Sequence, residues 1–156
     1  MKTLNIISSF FIVSVILIAS SCSFKTMPSS EVNYISGKEG TITMRAIGFG
    51  SNQEDAIIDA EINSFNVLLF RGLPESEQKI ALIGTNESNE KEKHKDYFNK
   101  FYTDKRYKTF MMSSIPSSNL TRYKGGKKSI AVDVKINLLS LRKDLEENNI
   151  IRKFGY

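Results

Sequence analysis

The 156 residues carry 22 Lys and Arg against 17 Asp and Glu, a formal charge of +5 spread over both halves of the chain. One cysteine excludes an internal disulfide, and one histidine leaves no second imidazole for a metal site or a base pair. The length suits one domain, and the mild positive excess favours acidic surfaces without selecting any one of them.

The chain opens with Lys2, then a fourteen-residue apolar-biased run from Ile6 to Ala19, then Ser20, Ser21 and Cys22. A spanning helix needs about 20 apolar residues, and Ser8, Ser9 and Ser14 dilute this shorter run. The order of charge, apolar run and small residues is that of an export signal. Ala19-Ser20-Ser21-Cys22 resembles the lipobox of bacterial lipoproteins, in which small residues ahead of a cysteine admit the signal peptidase and the thiol carries diacylglycerol. The resemblance implies that residues 1–21 are removed and that Cys22 is the lipid attachment site. In that family an Asp after the cysteine retains the protein in the inner membrane. Ser23 stands there, so the resemblance implies the outer membrane, and a periplasm-facing domain is expected.

Residues 22–40, polar with Pro28 and two glycines, read as a flexible tether. One domain is expected over residues 41–150, with 151–156 as a tail. Ile42, Met44 and Ala46 alternate on one face of a strand from Thr41 to Phe49. Ser51 and Glu54 have the spacing of a capping box, and Ile58, Ile62, Phe65 and Leu69 fall on one face of the helix it starts. Gly72 and Pro74 stop that helix.

Residues 75–85 carry no clear period, and Asn86 to Lys93 reads as a loop or a solvated helix start. His94, Tyr97, Phe98 and Phe101 have helical spacing. Two strands are expected next, one over residues 106–115 and one over 119–137 that turns at Gly125 and Gly126. In the latter, Ile130, Val132, Val134 and Ile136 alternate with Ala131, Asp133 and Lys135, the pattern of a half-buried strand. A short helix from Leu138 to Asn148 closes the domain. Strand, helix, helix, strand, strand, helix is the order of an α+β fold: a small antiparallel-biased sheet with helices packed on one face.

Chemistry is sparser. Gly48-Phe49-Gly50 stands between a strand and a helix, as in phosphate-binding turns, yet Gln53 occupies the place of a third glycine and no Lys-Ser/Thr pair follows. A backbone turn explains the glycines as well. The clusters Glu54, Asp55, Asp59 and Asp144, Glu146, Glu147 could nominally supply a glycosidase pair, and helix capping or a solvated face accounts for each. No catalytic residue, cofactor or metal is therefore expected. Lys91, Lys93, Lys95 and Lys100, interleaved with aromatics, form a candidate anion or partner surface of the kind that also suits nucleic acid. An exported chain has no nucleic-acid partner, which leaves lipopolysaccharide phosphate, anionic glycan or an acidic protein.

Residues 40–69, a strand ending in Gly-Phe-Gly and entering a helix with Ala56 and Ala60 four residues apart, resemble the amino-terminal domain of the flagellar T-ring protein and related small outer-membrane lipoproteins. That resemblance implies a non-enzymatic assembly domain in the envelope and carries no catalytic residues. The expectation is a lipid-anchored binding or scaffold protein attached through Cys22, with an envelope protein as partner. The alternatives are a carboxylate-dependent envelope hydrolase and a binder of anionic glycan or lipopolysaccharide.

Overall fold

The computed structural model describes residues 31–153. Cys22 and the expected signal lie outside the described residues, as do the last three positions of the expected tail. The chain runs β1 (Val32–Lys38), β2 (Thr41–Gly50), α1 (Gln53–Phe70), α2 (Glu87–Lys93), α3 (Lys95–Tyr102), a 3-10 segment (Arg106–Phe110), β3 (Met111–Pro116), β4 (Thr121–Arg122), β5 (Lys128–Asn137) and α4 (Leu138–Glu147). This is the α+β fold, an open antiparallel sheet in the order β1-β2-β5-β3, with β4 on the same edge of β5 as β3. No helix among the described residues is long and apolar enough to cross a membrane.

The centre of the sheet is the β2–β5 ladder, which pairs without a bulge from Thr41 opposite Asn137 to Gly50 opposite Lys128. Because side chains alternate along a strand, that register sets Ile42, Met44, Ala46 and Gly48 beside Ile136, Val134, Val132 and Ile130 on one face. All eight are buried, and α1 packs on them. On the other face of the same two strands no residue is buried.

The expected tether is in part structure: Val32–Lys38 pairs with β2, from Val32 opposite Ala46 to Lys38 opposite Thr41. Its register shifts between Tyr34 and Ser36, so the alternation that would mark a strand in sequence is interrupted. The α1 cap is also displaced by one residue. Asn52, not Ser51, accepts from the Asp55 backbone N–H at 2.9 Å.

The buried side of α1 keeps Phe65 and Leu69 of the expected stripe and differs in the rest. Ala56, Ala60 and Ser64 are fully buried, whereas Ile58 and Ile62 are only half-buried. Small residues let the helix lie close against β2, and the two strand glycines complete the approach. A Cβ on Gly48 would stand 1.9 Å from the Ala56 carbonyl oxygen, and one on Gly50 would stand 2.4 Å from the Ala56 nitrogen. These glycines serve backbone contact rather than the turn expected for them, since neither has a positive φ.

Residues 73–83 fold back over the end of α1. Leu82 and Ile83 donate to the Leu68 and Leu69 carbonyls, each at 3.0 Å, satisfying acceptors that a helix end leaves open. Gly72, at φ 79°, permits the reversal. The expected strand from Arg106 begins only at Met111, because residues 106–110 form the 3-10 segment that buries Tyr107 and Phe110. Of residues 119–124, expected as strand ahead of the Gly125–Gly126 turn, only Thr121 and Arg122 pair with β5.

Candidate functional site

The segment of interleaved lysines and aromatics becomes two helices with His94 between them. Asn86 caps α2 through its side chain, accepting from Asn89 at 3.2 Å, and His94, at φ −118° and ψ 39°, turns the chain into α3. Tyr97, Phe98 and Phe101 all face inward. Phe101 meets Phe65 edge to face at 5.5 Å and stacks on Phe110 at 6.1 Å, so the aromatic half of the motif is core.

The four lysines separate. Lys91 pairs with Glu87 at 2.7 Å and sits over the Tyr102 ring at 4.4 Å, roles that hold α2 against its neighbours. Lys93, Lys95 and Lys100 border a cleft of about 370 Å³ together with His94, Tyr97 and Arg106. All three lysines are exposed, and none has an ion-pair partner among the described residues. Glu92 and Asp96 border the same cleft, leaving cationic side chains in excess.

Arg106 lies within the same basic-aromatic run but was not named with the four lysines, because its segment reads as a strand. The fold brings it against Asp144 of α4, whose carboxylate also accepts from the Tyr97 hydroxyl at 2.7 Å. The guanidinium lies over the rings of Tyr97 and Phe110, at 5.6 and 5.8 Å. Burial, then the bond to Asp144, pushes the Tyr97 phenol well above its usual value, so it stays protonated as a donor. Asp144 thus orients Arg106 at the cleft wall. The Lys-Arg-Tyr-Lys run at residues 105–108 was the one sequence signal available for it.

The histidine and the carboxylates are placed as follows. His94 is half-buried, with Nε2 3.8 Å from Glu90 and no hydrogen-bond partner for that nitrogen among the described residues. Asp55 accepts from Asn52 at 2.9 Å, and Asp59 accepts from the Phe49 backbone N–H at 2.9 Å and from Asn63 at 3.1 Å. Asp59 therefore fastens the strand to the helix. Glu147 faces Lys143 at 3.7 Å. Among the described residues, no three His, Cys, Asp or Glu side chains gather as a metal site would require.

One carboxylate escaped the sequence reading. Glu61 is only 3 % exposed on α1, accepts from the Tyr107 hydroxyl at 3.1 Å and lies 3.5 Å from Lys108. Burial, then the Glu61 charge, holds the Tyr107 phenol well above its usual value. Glu54 and Glu61 both border a second cleft of about 310 Å³, where Glu61 is already engaged by its two partners. Glu61 falls among apolar residues in an acidic helix, so only the fold distinguishes it from a solvated glutamate.

No protein-family profile, curated protein or solved structure matches the chain.

Proposed function

We propose that the chain is a lipid-anchored binding module of the bacterial outer membrane, acting by contact within a larger envelope assembly rather than by catalysis. The observation that carries the anchor is Ala19-Ser20-Ser21-Cys22 at the end of an apolar run too short to span a bilayer. Acyl chains contribute about 0.8 kcal/mol per buried methylene, so the several chains of a lipoprotein would hold it durably. The pairing of β1 takes Val32–Lys38 out of the expected tether. From Cys22 to Val32 a fully extended chain reaches at most roughly 35 Å, which keeps the domain near the headgroups.

The binding role is supported by the sheet face opposite α1 and by the lysine cleft. The hydrolase alternative has less support, because Asp59 and Asp144 are engaged in holding the fold, Asp55 bonds to the α1 cap residue and Glu147 lies in a surface pair with Lys143. Metabolic labelling with a fatty acid, followed by membrane fractionation of wild type and Cys22→Ala, tests the anchor. Labelled wild type in the outer membrane and an unlabelled, released variant are expected. Equal membrane retention of both, with no lipid on the wild type, would sink the reading.

A further inference from the structure

We propose that the cleft between α3, the 3-10 segment and the end of α4 binds a phosphate-bearing ligand through Lys93, Lys95, Lys100 and Arg106. The inference rests on the reading of the chain as a binding module and names the ligand chemistry. The four cations come from three separate elements and converge on one cleft of about 370 Å³, the size of a small-ligand site.

The members divide the work. Arg106 is held by Asp144 and by the Tyr97 and Phe110 rings, so its planar donor fork is positioned before any ligand arrives. A guanidinium has five N–H donors, and the bond to Asp144 uses one of them. The three lysines have no ion-pair partner among the described residues, so a ligand need displace no internal carboxylate from them. Glu92 and Asp96 at the rim repel any anion, but the four cations outnumber them, so a multiply charged phosphate that draws on all four gains more than a singly charged carboxylate does. Base stacking is closed to this site, because Tyr97, Phe98 and Phe101 are buried.

Phosphate can come from a lipid headgroup or from a soluble polyanion. The full chain, purified in nonionic detergent, is titrated calorimetrically with inorganic pyrophosphate. In parallel arms it meets micelles doped with phosphatidic acid or with phosphatidylcholine. Binding is expected to weaken by about tenfold or more in Lys95→Gln/Lys100→Gln and to return in Lys95→Arg/Lys100→Arg. The equally charged control Lys127→Gln/Lys128→Gln, at the start of β5, is expected to stay within about twofold of wild type. Circular dichroism confirms that each variant is folded.

A response to pyrophosphate assigns a soluble ligand, and one confined to phosphatidic acid assigns a headgroup; either supports the site. Equal loss in both glutamine pairs, or no heat with either phosphate, overturns it. Acylation and fractionation are read separately. An acylated chain that binds no phosphate loses the site alone, whereas an unacylated chain that binds phosphate loses the anchor alone.

Discussion

The two faces of the central ladder come from the same residues taken alternately, yet they obey different rules. On the covered face, Gly48, Ala46 and Met44 are buried, and Gly48 has no room for an added atom beneath α1. On the opposite face, Arg45 and Asp133 sit directly across from each other and pair through two hydrogen bonds of 2.7 and 2.8 Å. Phe49 meets Tyr123 edge to face at 4.9 Å, and Ile115 is 61 % exposed. Backbone-to-backbone fit governs the first face, and side-chain pairing in contact with water governs the second. Stability is therefore concentrated on one side of the sheet, and the other is free to vary or to bind.

The sharpest way to break that contrast is Gly48→Ala. Its methyl would meet the Ala56 carbonyl and the Ala60 nitrogen, both backbone, so α1 must move as a body. A loss of about 3 kcal/mol or more in urea unfolding is expected. A loss under half of that would show that the helix is not seated tightly. Tyr107→Phe comes next. It removes the hydroxyl that Glu61 accepts from and leaves that buried carboxylate with Lys108 alone, for an expected cost of about 1–3 kcal/mol in the same assay.

The smallest effect belongs to Asp133→Asn on the exposed face. The Arg45 hydrogen bond is the main cause that lowers the Asp133 carboxyl below its ordinary value. A lowered folded-state value adds stability that is fully present above the unfolded value of about 3.9 and is lost as pH falls through the folded one. Wild type should therefore lose an increment below roughly pH 4 that Asp133→Asn lacks, with only a small difference between them at neutral pH. Parallel acid limbs in thermal melts would remove Asp133 from the account.

Much of the frame was legible in the chain itself. Alternation located β2 and β5, the Gly125–Gly126 pair marked a turn, and helical spacing correctly buried Tyr97, Phe98 and Phe101. These patterns are local, because a period of two or 3.6 residues reports a face whatever that face meets. β1 was hidden by its bulge, and of the four residues expected on the buried face of α1 only Phe65 and Leu69 are buried, because the close contact with β2 runs through Ala56 and Ala60, which the resemblance alone had marked. Of the candidate lysines, the sequence could group four by proximity but could not see that Lys91 is committed to Glu87 and Tyr102.

What the sequence determined alone is the α+β class and the places of β2, α1, β5 and α4, since each is written in adjacent residues. The tertiary structure alone decided that two glycines admit a helix and that Glu61 is buried beneath Tyr107. It also decided that Arg106 joins three lysines across a cleft, with Asp144 fixing its orientation. Each of those depends on atoms distant in the chain, whose separation only packing sets.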